Sequence, residues 1–286
     1  MIRQVTAFCP GHISGFFLPI ITGDPATSGS CGGGIVIDSG VTVTVSSSPT
    51  SSVNIYQIRQ TGLRVKISDH SPTLHHLLQM LNVSATVETN CHLPLSAGYG
   101  LSAASLLATV HAVNILFNLE LSPVACSDLA HSIEVIERTG LGDVSACQGG
   151  GWVYRGSPGP QGKIIRHDDD RPVYALTLGP LRTASVLSSP EYLSRIKQAF
   201  PGEEPTYLED LFRYSRRFAE GFGFISDEVR KVLIACDTND IPASMTMLGN
   251  GVFALGNRSQ AVLTQFGSVY PLHIAKEGPQ ILEVLS

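Results

Sequence analysis

Apolar and polar residues alternate through much of the first third of the chain. Val5 to Phe8, Ile35-Val36-Ile37, Val41 to Val45, Val53 to Ile58, Leu63 to Ile67 and Val83 to Glu88 read as strands. Thr73 to Leu81 breaks the series with helical spacing; its adjacent His75 and His76 point in different directions and make no metal pair. The pattern then lengthens. Ser102 to Asn118 is apolar nearly all round, which predicts a helix inside the core. Ser122-Pro123 supplies a serine N-cap with proline at the first helical position, and the helix it opens runs from Val124 to Thr139 and stops at Gly140. Leu129, Ile133 and Ile136 form its buried stripe, with Glu134 beside it. Beyond a strand at Val173 to Leu178, Ser189-Pro190 caps a helix reaching Phe200. Two more helices fall near 206–220 and 226–236, a strand covers Val252 to Leu255, and strand character returns at Val269 to Ile274. Strands and helices mixed in this order predict an α+β fold.

The stretches between these elements carry the chemistry. Pro94-Leu95-Ser96-Ala97-Gly98-Tyr99-Gly100-Leu101-Ser102-Ala103-Ala104 is a loop of small residues running into the apolar helix. Such a loop lets backbone N–H groups approach an anion, and the helix adds its free amides and positive dipole end. Cys9-Pro10-Gly11 predicts a sharp turn, with His12 either satisfied within it or a ligand group. Residues 22–34, including Ser28, Ser30 and a triple glycine, form either a surface loop or a place where backbone meets a ligand, and Asp38-Ser39-Gly40 reads as a hinge. Asp143, between glycines and the segment that follows, is placed either for a site or for an ordinary turn. The polar run over 156–171, with His167-Asp168-Asp169-Asp170, reads as a solvated loop, and a boundary there divides the chain into 1–165 and 166–286.

Composition narrows the partners. With 286 residues and a net charge of −5, the chain is sized for a globular enzyme and carries no general attraction for nucleic acid or an anionic membrane. Its six cysteines include no CxxC pair, so they read as reduced thiols rather than a zinc site. The tract from Leu101 to Leu119 is interrupted by Ser102, Ser105, Thr109, His111, Asn114 and Asn118, which suits a buried helix and not a membrane span. No secretion signal is evident, and the expected compartment is the cytoplasm.

Three separated segments together resemble the GHMP kinase superfamily. Its motif P-x3-G-L-G-S-S-A-A stands here as Pro94 followed by Gly98-Tyr99-Gly100-Leu101-Ser102-Ala103-Ala104, with the first serine replaced by Leu101 and the second kept. A strand ending in A-P-G is similar to Ala7-Phe8-Cys9-Pro10-Gly11. The glycine-rich third motif corresponds to Met245 to Leu255, with glycines only at Gly249 and Gly251. Phe8 to Phe17, Ser28-Gly29-Ser30, Thr139 to Val144 and Met247 to Asn250 resemble more narrowly the archaeal pantoate kinases, which make 4-phosphopantoate for coenzyme A synthesis.

The resemblance implies the two-domain GHMP kinase fold: an N-terminal α+β domain with the phosphate loop and a ferredoxin-like C-terminal domain. It implies ATP and Mg²⁺ as cofactors. ATP would lie on Pro94, Ser96, Ala97, Gly98, Tyr99, Gly100, Leu101, Ser102 and Ala103. Ser102 and Glu134 would hold the metal, and Asp143 would accept or orient the proton of the substrate hydroxyl. His12, Arg155 and Arg182 are the candidate cations for a substrate carboxylate, with Ser28, Ser30, Gly249 and Asn250 as further contacts. Pantoate is the expected small-molecule partner of a cytoplasmic homodimer without nucleic-acid or membrane partners. Two alternatives stay open: the same fold acting on a homoserine- or mevalonate-like acceptor, and a GHMP-fold protein that binds ligand without transfer.

Overall fold

The computed structural model describes residues 2–179 and 190–286. Its framework is a pair of long antiparallel strands, β1 (Gln4–Ile20) and β2 (Gly29–Ser47). The turn expected at Cys9-Pro10-Gly11 is not a turn: β1 runs straight through it. Pro10 has no N–H to give a ladder, and the chain absorbs it as a bulge, where pairing jumps from Pro10 opposite Gly40 to Gly11 opposite Ile37. The hinge read at Asp38-Ser39-Gly40 is the other side of that bulge. The glycine-rich stretch also resolves into strand. Only 21–28 remain outside regular structure, and the triple glycine lies in β2 opposite Phe17, Phe16 and Ser14.

The first sheet has eight strands. Its main path is β12 (Gln280–Leu285), β1, β2, β5 (Ala85–Cys91), β3 (Ser52–Ile58) and β4 (Arg64–Ser68), while β6 (Trp152–Arg155) pairs with β2 and with β7 (Ile164–His167). Helix α1 (Pro72–Met80) joins β4 to β5, so that β3 and β5 pair in parallel. Helix α2 (Leu101–Phe117) lies across β1 and β2, flanked by α1, α3 (Pro123–Ile136) and α4 (Asp143–Cys147). The nearly unbroken apolar surface of α2 follows from this: it touches sheet on one side and helices on the others.

The second sheet has the order β11 (Val269–Leu272), β8 (Val173–Gly179), β10 (Asn250–Leu255), β9 (Ala243–Met245), all antiparallel. Around it lie α5 (Pro190–Ala199), α6 (Leu208–Phe222), α7 (Asp227–Thr238) and α8 (Arg258–Leu263). The expected cut between 165 and 166 falls inside β7, which the polar reading of 156–171 had left as loop; His167 there stacks on Trp152 at 4.1 Å between ring centroids. Strand β12 then returns from the second unit to close the edge of the first sheet on β1. The two units are therefore interleaved in sequence, and their apolar core is continuous.

Helix α6 joins the units by lying on β1 and β9. Its seat is made of glycine. A β-carbon on Gly15 would overlap the Ser215 hydroxyl, and one on Gly33 would stand 2.6 Å from Leu211 Cδ1 and 2.7 Å from the Phe16 ring. Gly15→Val is therefore expected to lower stability by about 1–3 kcal/mol, the usual cost of overpacking a well-filled core. A urea unfolding curve measures it, and an unchanged midpoint would show that the seat has slack.

Candidate active site

The loop after β5 is clamped from both sides. The His12 N–H donates to the Tyr99 carbonyl at 2.9 Å, and the Tyr99 hydroxyl bonds Thr177 Oγ1 of β8 at 2.9 Å. Opposite, the 246–249 turn packs against Ala97 and Gly98: the Met247 carbonyl would be 2.8 Å from a β-carbon on Gly98, and Gly249 fits only because it lacks one against the Ala97 carbonyl. Gly98 and Gly100 both have left-handed backbone, with φ of 82° and 62°. Gly100 caps α2 without any side-chain bond to the helix amides, so the first-turn N–H groups are left for a ligand. This is the geometry of an anion cradle. Ser102 lies in that first turn, half-buried, and lines the cleft, while Leu101 is buried in the core.

Behind the cradle, three charged or polar side chains form a line. His12 is fully buried on β1, and its Nδ1 stands 2.7 Å from Asp143 Oδ1. Burial pushes the His12 pKa down, more strongly than the Asp143 bond lifts it, so the ring is neutral. Nδ1–H then donates to Asp143, and Nε2 accepts from Arg155 Nη1 at 3.4 Å. Burial alone would raise Asp143, but the His12 bond and the Arg155 charge outweigh it and hold the carboxyl below its usual range. Asp143 keeps a quarter of its side chain open to the cleft. Arg155 is 2% exposed, its Nε has no partner, and burial lowers its pKa against the pull of Asp143.

Glu134 is the more costly group. It is fully buried on α3 rather than solvated, and neither carboxylate oxygen has a hydrogen-bond partner. Burial and then the Asp143 charge push its pKa well above the ordinary carboxyl range, and the Val144 backbone opposes this only in part. The chain turns back over it, so that a β-carbon on Gly140 would stand 2.5 Å from Glu134 Oε1. Among the described residues no group of three or more His, Cys, Asp and Glu gathers as a metal cage. A Mg²⁺ ion needs few protein ligands and hard oxygens, and the orphaned Glu134 carboxylate with the Ser102 hydroxyl fits that demand.

A cleft of about 510 Å³ spans these groups. Pro94, Ser96, Gly98 to Ser102, Ser30 and Asp143 line it, whereas Ala97 and Ala103 lie buried beneath. His12, Ser28, Arg155 and Glu134 sit behind its wall. His131 Nε2–H donates to the Ser28 carbonyl at 2.8 Å, a positioning contact that no sequence pattern announced. Asn250 does not come to the cleft: its Oδ1 accepts from Ser226 Oγ, the N-cap of α7, at 2.8 Å. Gly249 serves as a spacer under Ala97 rather than a lining residue. Arg182 lies outside the described residues. Arg138 and Glu137, just past α3, also line the cleft and were not expected there, because a charged helix end normally faces solvent.

Residues 68–151 match the family "GHMP kinases N terminal domain". The chain is 55% identical to the pantoate kinase of Methanospirillum hungatei over 98% of its own length and 97% of that protein's. It is 28% identical to the pantoate kinase of Thermococcus kodakarensis, covering 90% of this chain and 89% of that one. In structure it is similar to a phosphotransferase related to the CoA biosynthesis pathway, with a TM-score of 0.78, 24% identity and 98% of each chain covered.

The raised pKa of Glu134 has a sign that can be read in stability. Folding holds its proton more tightly than the unfolded chain does, so its favourable contribution is complete below about 4.5, the ordinary value, and is lost as pH rises toward the folded-state pKa. At pH 7.5, without nucleotide or divalent cation, Glu134→Gln is therefore expected to unfold at higher urea than wild type. The gap should close as pH falls toward 4.5; equal midpoints at both pH values would contradict the burial of an unpaired carboxylate.

Proposed function

Since the chain belongs to the pantoate kinases of the GHMP kinase superfamily, we propose that it transfers the γ-phosphoryl group of ATP to the 4-hydroxyl of D-pantoate, giving 4-phosphopantoate for coenzyme A synthesis. The observation that carries this reading is the meeting of an uncapped, glycine-lined helix N-terminus with the Asp143–His12–Arg155 line in one cleft.

The cradle amides from Gly98 to Ala103 hold the phosphates, and the α2 dipole favours their charge. Ser102 and Glu134 would hold Mg²⁺, which when bound supplies positive charge to the β- and γ-phosphates. The substrate hydroxyl oxygen forms its bond to the γ-phosphorus as the bridging oxygen leaves with the bonding electrons on ADP. The hydroxyl proton passes toward Asp143. Because Asp143 is held below the usual carboxyl range, it is a weak base that mainly orients the hydroxyl and takes its proton late. His12, neutral and tied at both ring nitrogens, keeps Asp143 in one rotamer.

The pantoate carboxylate goes to Arg155, whose buried Nε lacks a partner, with the Ser30 hydroxyl as a further contact; the Ser28 backbone has no donor to offer, since its N–H bonds the Asp24 carbonyl at 2.9 Å. The two methyl groups of pantoate are suited to the apolar Phe17, Met247 and Leu248 of the cleft lining. The first sheet with its helices carries the nucleotide loop, and the second unit contributes the turn that clamps it. We place the enzyme in the cytoplasm; no helix of the described residues is long and apolar enough to cross a membrane. The exposed apolar residues of edge strand β12, Ile281, Leu282, Val284 and Leu285, support a homodimer.

ADP release with Mg²⁺ and ATP should appear with D-pantoate and stay near background with homoserine or mevalonate; the reverse order would overturn the substrate. Asp143→Asn should cut kcat more than tenfold with nucleotide binding kept. Arg155→Gln should raise the pantoate KM by about 10–100-fold, the worth of a charge-assisted hydrogen bond, and an unchanged KM would exclude Arg155 as the carboxylate site.

A further inference from the structure

The end of α3 holds a side chain where backbone geometry favours none. Arg138 N–H bonds the Val135 carbonyl at 3.2 Å and Thr139 N–H bonds the Glu134 carbonyl at 3.0 Å, the paired bonds of a Schellman stop. The residue after the C-cap in that stop takes left-handed backbone, and Arg138 does so with φ of 56°. Glycine is the residue that fits there; a residue with a β-carbon is strained. The stop needs no arginine, so the side chain has another use.

Its surroundings indicate what that use is. The exposed Arg138 side chain lines the cleft and is the one lysine or arginine that does so among the described residues. Its neighbour Glu137, the carboxylate best placed to neutralise it, is instead held by His76 Nδ1 of α1 at 2.8 Å. That tether fixes 137–138 on the α1 side of the cleft, where Ser71 and Thr73 also line the wall. Arg155 stands on the other side, behind Asp143 and beside Ser30. A triphosphate entering a cleft already lined by Glu137 and Asp143 meets two carboxyl groups, and a side-chain cation there supplements the backbone amides and the divalent cation.

We infer that Arg138 contacts the phosphates of the nucleotide and stabilises the negative charge that spreads over the moving phosphoryl group, while Arg155 serves the acceptor carboxylate. The strained arginine is kept in place of glycine for this contact. The inference rests on the pantoate kinase reading above.

The test uses the full-length protein with Arg138→Gly and Arg138→Lys, assayed for ADP release with saturating ATP, Mg²⁺ and pantoate. Arg138→Gly is expected to lose at least 30-fold in kcat with the pantoate KM within threefold of wild type. It should melt at a higher temperature than wild type, because glycine relieves the left-handed backbone, so lost activity cannot be lost fold. Arg138→Lys should keep part of the activity, and millimolar guanidinium should restore part of the glycine variant's turnover without stimulating wild type. Turnover of Arg138→Gly within threefold of wild type, or a loss carried wholly by the pantoate KM, would overturn the inference while leaving the kinase reading intact. A wild-type protein inert toward pantoate would overturn both.

Discussion

The bond from His12 to Asp143 joins the parts of this protein that must not move relative to one another. His12 belongs to the longest strand pair, and its backbone N–H also holds the phosphate loop at Tyr99. Asp143 opens the short helix α4, and Arg155 reaches the far side of the same imidazole from β6. One buried residue thus ties sheet and loop through its backbone and two further elements through its neutral ring. A charged ring would cost several kcal/mol to bury, and removing it would leave Asp143 and Arg155 without the bonds that orient them.

The rest of the site is deliberately less comfortable. Glu134 and the Arg155 Nε are buried without hydrogen bonds, and Arg138 holds a backbone conformation suited to glycine. Folded interiors seldom leave such groups unmet, and those that persist need a reason. Here each faces or adjoins one cleft, and each has the charge or donor that a phosphate, a divalent cation or a carboxylate would complement. The glycine seat under α6 gives the opposite lesson, since there packing alone fixes the fit.

How far the sequence could be read depended on side chains having a pattern. The apolar helix α2, the capped helix α3 and the alternating strands β3, β4 and β5 were legible because packing imposes a period on them. The glycine-rich half of β2 was not, since residues without side chains show no alternation, and Pro10 suggested a turn where the sheet makes a bulge. The short β9 and α8 lacked the length to stand out, and β12, exposed along its whole length, shows no buried face to set an alternation. Around the cleft, the motif and the resemblance pointed to Ser102, Glu134, Asp143 and Ser30, of which Ser30, Ser102 and Asp143 line it; Arg155 was only one of three candidate cations that the sequence could not choose among. Arg138 was hidden because an arginine at a helix end looks like solvent chemistry until the fold turns it toward the cleft. Asn250 erred the other way: its place in a motif suggested a ligand, and its actual partner is the cap of α7.

The pairing of β1 with β12 sets the order in which this molecule can be made. Val5 lies opposite Val284, so the outer edge of β1 is covered by a strand made long after it. During translation the nucleotide-binding sheet therefore emerges with one side open while the whole second unit is still being added. An uncovered strand edge invites pairing with other chains, and contacts this far apart in sequence form slowly. The same pairing brings the ends of the ladder together, with Arg3 N–H on the Leu285 carbonyl at 2.8 Å. A circular permutant that joins β12 directly to β1 and opens the chain at an exposed loop would turn the slowest contact of the fold into its fastest.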